Sequence, residues 1–252
     1  MLICIVVPHF DHVEQFERML PKLAAQGYPL IIVDDASPAS SFDALTRILD
    51  DLVPDATLLR HTKNRGKGAA VMTGLRAALD AGFTHSLQID ADGQHDIADI
   101  SAICAAAEGH KNSIICGQPT FDRSISPLRY YARYITLSFS WLESLSVEIR
   151  DALCGFRLYP NQSVIDLIEN SRLGNRMTFD PEILVRALWA GMTLRFVPVR
   201  VSYPVGGKSH FRYFRDNVEI SWMHTRLVFG MLIRLPALIR RNRSRRLRSS
   251  KL

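Results

Sequence analysis

Apolar residues fall into two alternating rhythms over the first 117 positions. Runs of five or six residues, "LICIVV", "LIIVDD", "TLLRH", "HSLQID" and "SIICG", are rich in Ile, Val and Leu and predict buried strands. Between them, over 13–26, 40–51, 66–81 and 96–109, the apolar positions recur with helical periodicity. Strands and helices that alternate roughly every 20–30 residues predict a parallel sheet with helices on both faces.

After Gly117 the rhythm loosens. The stretch "TFDRSISPLRYYARYITLSFSWLESLSVEIRDA" predicts a loop and then a long helix with basic residues on an aromatic background. A compact "CGFRLYP" follows, then helices near 161–170 and 178–190 and an apolar strand, "LRFVPVRVSYP". One or two further helices are predicted over 212–239. With no Pro/Gly/Ser-rich linker and no internal repeat, the expected organisation is one α/β domain over 1–211, an amphipathic helical appendage over 212–239 and a basic, disordered tail over 240–252.

A hydrophobic fraction of 47% over 252 residues, with 22% charged, supports a full core and excludes a largely disordered chain. The net charge of +6 is a property of the tail. Its last 13 residues hold seven basic side chains and no acid, and the body is close to neutral. Such a tail can meet nucleic acid, anionic lipid or only water. The expected partner is an anionic membrane surface reached through 212–252, and not nucleic acid. The competing account is that the apolar face of 218–239 completes the core or a dimer interface, so a homo-oligomer stays open. The four cysteines form no CxxC pair and no zinc spacing, so reduced core thiols are expected, in keeping with a cytoplasmic protein peripheral on the membrane. "MLICIVVPHF" lacks a basic leader region and reads as a strand, and no apolar run is long enough for a spanning helix.

The polar clusters fall where the strands end. "PHFDH" follows the first, "DDAS" the second, "KNRGKG" the third and "DADGQ" the fourth, so four motifs converge on one rim. Ligands of parallel sheets bind beyond the carboxyl ends of the strands. Asp90 and Asp92 bracket one small residue, and two carboxylates at that spacing repel unless a cation lies between them. Hard divalent ions take such oxygens, and Gln94 adds a neutral one on the same side. Asp34 and Asp35 can accept from ribose hydroxyls or a base N–H, or else help to cap the next helix. "NRGKGAA" is Gly-rich and basic and opens a helix, an arrangement that favours anions, although tight packing of Gly and Ala against the sheet would read the same way. A phosphoacceptor receiver domain also carries an acidic pair, but at the end of its first strand rather than its second.

Taken in order, "VVPHFDH", "IVDDAS", "NRGKGAA", "DADGQH" and "CGFRLY" resemble the motif series of family 2 glycosyltransferases with the GT-A fold. The subgroup they most resemble is the polyprenyl-phosphate (dolichol-phosphate) mannosyl- or glucosyltransferases, and the likeness covers about residues 3–210. The resemblance implies a Rossmann-like, mixed and mainly parallel sheet. It implies inverting transfer from a UDP- or GDP-linked sugar to a lipid-linked acceptor, with Mg²⁺ or Mn²⁺ as cofactor. By the same likeness Pro8, Phe10 and Asp35 line the nucleotide pocket, with Lys67 near the nucleotide. Asp90, Asp92 and Gln94 hold the metal, and Arg129 and Arg133 face an acceptor phosphate. Two departures stand out. His12 replaces the family's usual Glu, and the late "GxSK" reads "GKSH", which shifts Lys208 and puts His210 in the usual Lys place.

An acceptor phosphate is already ionised and needs no strong base, whereas a hydroxyl acceptor requires a carboxylate. Asp151, Asp180 and Glu182 are candidates for that base, with capping or salt bridging as their equal alternative. Arg157 is either a substrate contact or a buried tether. Two other functions compete. A sugar-1-phosphate nucleotidyltransferase would need a Gly-rich, Arg-containing loop after the first strand, which "PHFDHVEQF" lacks. A catalytically silent nucleotide-binding or membrane scaffold is opposed by the intact acidic and basic motifs.

Overall fold

The structure is a computed structural model that describes residues 1–121, 125, 127–202 and 212–249, with backbone alone for 127–129, 213 and 244–249. Its strands are β1 (Ile3–His9), β2 (Leu30–Asp34), β3 (Thr57–Arg60), β4 (His85–Gln88), β5 (Ser113–Phe121), β6 (Arg157–Pro160) and β7 (Thr193–Val201). Its helices are α1 (Val13–Ala24), α2 (Ala39–Leu52), α3 (Lys67–Asp80), α4 (Ile100–Glu108), α5 (Pro127–Ser144), α6 (Asn161–Glu169), α7 (Phe179–Trp189) and α8 (Tyr213–Ser249), with a single 3₁₀ turn at Ile97–Asp99.

The strands form one sheet in the order β3-β2-β1-β4-β6-β5-β7. All neighbours run parallel except β6, which is antiparallel to both β4 and β5. The α/β sheet expected from the alternating rhythm is therefore present, and it is mixed and mainly parallel, as the family resemblance implies. β6 is the strand that the periodicity does not announce. It has four residues, begins with an arginine and ends with a proline, yet all four are buried. Arg157 tolerates this because its guanidinium donates to the backbone carbonyls of Asp180 (2.8 Å) and Ala152 (3.0 Å). That makes it a buried tether; it has no exposed surface from which to touch a substrate.

Helices cover both faces. Phe16, Leu20, Leu45, Ile100 and Ile103 pack with Ile5, Val7, Leu87 and Phe156 on one side. Val71, Leu75, Val164, Phe179 and Ile183 pack with Ile114, Cys116 and Tyr159 on the other. All four cysteines are buried and free, and burial pushes the Cys116 and Cys154 thiols up to about 12, which leaves them inert.

The C-terminal segment differs from expectation. One 37-residue helix, α8, runs on through Ser249, across the positions where a disordered tail is predicted. Arg and Leu are good helix formers, and the inner face of α8 is anchored. Met223 and Leu227 are completely buried in the cluster with Ile183, Leu184 and Leu188. Arg241 donates to the carbonyls of Leu188, near the end of α7, and Ser144, which ends α5. The Leu188 carbonyl also accepts from the Gly191 amide at 3.1 Å, so the arginine adds a second donor at the end of α7 and caps the end of α5. His224 Nδ1 meets Glu143 at 2.6 Å in a buried pair between α5 and α8. The outer face of α8 stays apolar and exposed at Phe214, Val218, Trp222, Phe229 and Ile233. Among the described residues no helix is long and apolar enough to cross a membrane.

Candidate functional site

Parallel register brings the strand ends level. His9 pairs with Asp34, Asp34 with Arg60, and Val6 with Gln88, so the residues after β1, β2, β3 and β4 share one rim. Pro8 is buried within β1 and Phe10 is half-buried just past it. Asp34 is fully buried and accepts from His9 Nδ1 (3.2 Å) and from the Ser37 amide (3.1 Å) and hydroxyl (2.5 Å). Burial alone would raise its carboxyl; the hydrogen bonds from His9 and Ser37 outweigh that and hold it below the ordinary value.

Asp35 organises the loop after β3. Its Oδ1 accepts from the Arg65 amide (2.8 Å) and from His61 Nδ1 (2.7 Å), and its Oδ2 from the Gly66 amide (2.6 Å). The loop can reach in because Gly66 sits at φ +102°, a region that L side chains avoid, and any Cβ there would lie 2.4 Å from Arg176 Cγ. Sequence alone suggested a ligand contact for Asp35; its carboxylate is engaged by backbone and histidine donors.

Lys67 is the first residue of α3, an electrostatically poor place for a cation. Two carboxylates compensate. Its Nζ lies 2.7 Å from Asp90 Oδ2 and 2.8 Å from Asp180 Oδ2, the latter on the first turn of α7. Burial would lower the lysine, but Asp180 and Asp90 win and hold it well above its usual value. Gly155 closes over this cluster: a Cβ there would stand 2.6 Å from Lys67 Nζ, 2.7 Å from Asp90 Oδ2 and 2.8 Å from Gln88 Nε2.

The two members of the acidic pair have different charge environments. Asp90 is kept below its ordinary value because Lys67, then His95, outweigh burial. Asp92 is pushed up to about 6, first by burial and then by the Asp90 charge, and its Oδ1 accepts from the Gln94 amide at 3.0 Å. His95 is held neutral, down to about 4, mainly by burial, with Phe156 at 5.1 Å between ring centroids. Its Nδ1 and the Oδ1 of Asp180 are buried without a hydrogen-bond partner among the described residues. Among the described residues no group of three or more His, Cys, Asp or Glu side chains is poised as a ready ligand set. Asp90, Asp92 and Gln94 nevertheless offer oxygen donors of the kind Mg²⁺ and Mn²⁺ select.

Arg133 and Asp151 are brought together as a two-pronged ion pair, Nε–Oδ2 3.0 Å and Nη2–Oδ1 2.7 Å. Asp151 also accepts from the amides of Leu153 (2.9 Å) and Cys154 (2.7 Å), which shapes the turn leading to Gly155. Its lone pairs are thus committed, a poor arrangement for a general base. Glu182 is similarly engaged, by Arg186, Arg226 and the Gly174 amide. Arg129 lies on α5 with its side chain outside the description, and Lys208 and His210 fall outside the described residues. The residues missed at the sequence level are His95, quoted in "DADGQH" without a role, and Gly155. Asp180 takes the salt-bridging alternative, to Lys67.

Residues 4–168 match the profile described as glycosyl transferase family 2. A dolichyl-phosphate beta-glucosyltransferase of Dictyostelium discoideum is 29% identical over 82% of this chain and 64% of its own length. Polyprenol monophosphomannose synthase of Mycolicibacterium smegmatis is 24% identical over 77% and 75% respectively. The chain therefore spans a little under two thirds of the Dictyostelium relative. Among solved structures, glucosyl-3-phosphoglycerate synthase from Mycobacterium tuberculosis, in complex with Mn²⁺, UDP and phosphoglyceric acid, superposes with a TM-score of 0.65 at 13% identity. That likeness covers 92% of this chain and 78% of the other and speaks to the GT-A fold alone.

Proposed function

Because the chain belongs to glycosyl transferase family 2, we propose that it moves a sugar, with inversion, from a nucleoside-diphosphate donor to a polyprenyl-phosphate type of acceptor. The observation that carries this reading is the acidic pair just past β4, Asp90 held by Lys67 at 2.7 Å and Asp92 two residues on, at the rim where the strands end. A divalent ion held by Asp90, Asp92 and Gln94 would draw charge off the departing diphosphate, the largest charge that develops in the reaction. Mn²⁺ and UDP in the mycobacterial neighbour, and the phosphate acceptors named for the sequence relatives, support the same chemistry.

The remaining roles belong to the same reading. Pro8, Phe10 and Asp35 form the wall on which the nucleoside rests. Lys67 keeps Asp90 ionised and fixes its rotamer. Arg133, oriented by Asp151, presents a guanidinium to the acceptor phosphate, joined by Arg129 one helical turn earlier. A phosphate monoester attacks without losing a proton, which suits a site whose candidate bases are engaged in ion pairs and amide hydrogen bonds. The exposed outer face of α8 and the basic residues that end the chain support a peripheral position on a membrane, where a lipid-linked acceptor resides. A panel of UDP- and GDP-sugars with Mg²⁺ or Mn²⁺ and polyprenyl phosphate tests the assignment. Equal turnover by the parent and Asp92→Ala would refute the metal's role.

A further inference from the structure

A cleft of about 460 Å³ opens between residues 63–65, the segment 174–178 and the first half of α8. Among the described residues it shares no lining residue with the acidic pair, Lys67 or Arg133. Four cations line it, Lys63, Arg65, Arg176 and Arg226, against one acid, Glu219. Glu219 is already matched by Arg215 at 2.9 Å, and Arg226 by Glu182 at 3.3 Å. Arg176 is aimed by a 3.0 Å hydrogen bond to Asn64 Oδ1. The side chains of Lys63 and Arg65 are exposed, with no ion-pair partner among the described residues. The cleft therefore carries uncompensated positive charge, and its natural occupant is an anion.

A second cleft, of about 490 Å³ and mainly apolar, adjoins it along Phe214, Val218 and Trp222; Trp222 lines both. Phe214 is 86% and Trp222 62% exposed. With Phe229 and Ile233 they recur at helical spacing, so one apolar stripe runs along α8 for about 30 Å. A free phosphate would use the cations and leave this stripe without a role. An amphiphile uses both.

We propose that the two clefts form a docking site for an anionic phospholipid at the membrane surface. The phosphate headgroup sits among Lys63, Arg65 and Arg176, and the acyl chain lies along Phe214, Val218 and Trp222. The Trp222 indole suits this boundary because its ring is apolar and its N–H tolerates water. The site sharpens the membrane part of the reading above and does not depend on the transfer reaction.

The test uses the full chain and phosphatidylcholine vesicles with or without phosphatidylglycerol. Sedimentation should show binding only with phosphatidylglycerol. Tryptophan emission should shift to the blue on binding, and Trp222→Phe should abolish the shift. Neutralising the cleft in the double variant Lys63→Gln, Arg65→Gln should weaken binding about thirty-fold, from roughly a fivefold effect per basic residue near such a surface. Removing two tail charges instead, Arg245→Gln with Arg246→Gln, should cost less. Inorganic phosphate at matched ionic strength should not displace the protein. Three results would overturn the site: a cleft variant that binds like the parent, one that loses no more than the tail variant, or displacement by inorganic phosphate. If no vesicle is bound at all, the membrane reading falls with it, while sugar transfer in detergent would remain to be judged separately.

Discussion

Lys67 and Asp90, 23 positions apart in sequence, form a 2.7 Å ion pair in which the lysine also reaches Asp180 at 2.8 Å. The acidic motif at the end of β4 therefore carries its own cation. One lysine charge is shared between Asp90 and Asp180 before any ligand arrives, and the other member of the motif, Asp92, is pushed up to about 6 by burial and by the Asp90 charge. This division sets how the site responds to metal, to pH and to substitution.

Lys67→Met removes the internal cation and leaves Asp90 and Asp180 facing each other in a largely buried setting. Breaking a buried pair from one side costs about 3–5 kcal/mol, so a stability loss of about 3 kcal/mol is expected for this partly exposed one. Mn²⁺ should restore part of it and raise the melting temperature of the variant more than that of the parent. Thermal denaturation with and without the ion measures both effects; an equal rise in the two proteins would contradict the internal-cation account.

Gly155→Ala would place a methyl within 2.8 Å of Lys67, Asp90 and Gln88 at once. Overpacking of this kind costs about 1–3 kcal/mol. Because the displaced atoms belong to the acidic cluster, divalent-ion affinity should fall along with stability. Calorimetric titration with Mn²⁺ reads the first and chemical denaturation the second. A loss of stability with unchanged ion affinity would place the glycine outside the site's function.

The pH dependence follows from Asp92. Its folded value, about 6, exceeds the ordinary 3.8, so the fold favours the protonated form. Its contribution to stability is fully present below pH 3.8 and is lost as pH rises through about 6. Metal binding needs the ionised form and runs the other way. The Mn²⁺ dissociation constant should be flat above pH 6 and rise about tenfold per unit below it. Titrations between pH 5 and 8 check the slope, and Asp92→Asn should remove it.

Asp151→Asn separates a base from a tether. The present geometry has Asp151 holding Arg133 and the 152–154 turn, so the variant should raise KM for the acceptor about tenfold and leave the shape of the pH–rate profile unchanged. Loss of the acidic limb of that profile would instead make Asp151 the proton acceptor.

Much of this arrangement is legible in the chain itself. The five runs from "LICIVV" to "SIICG" all form strands. β1, β2 and the first half of β5 are largely continuous apolar stretches because they are buried, whereas β3, at the sheet edge, has no buried residue. The strand ends carry the polar clusters onto one rim. β6 escapes notice because its burial depends on Arg157 finding carbonyls in distant segments, which no local pattern encodes. The Lys67–Asp180 contact spans 113 positions and the Arg133–Asp151 pair 18, distances fixed only when α3, α5 and α7 pack. "RRNRSRR" reads as a solvated tail, and only the assembled fold shows Arg241 donating to the ends of two other helices.

The account's central claim is that a divalent cation at Asp90 and Asp92 couples the protein to a nucleoside diphosphate. Calorimetric titration of UDP and GDP, with and without Mn²⁺, tests it most directly in the parent and in Asp92→Asn. For whichever nucleotide binds, Mn²⁺ should tighten binding about a hundredfold in the parent, worth roughly 2.7 kcal/mol, and should have no effect in the variant. Equal affinity with and without the ion in the parent, or the same tightening in Asp92→Asn, would contradict it.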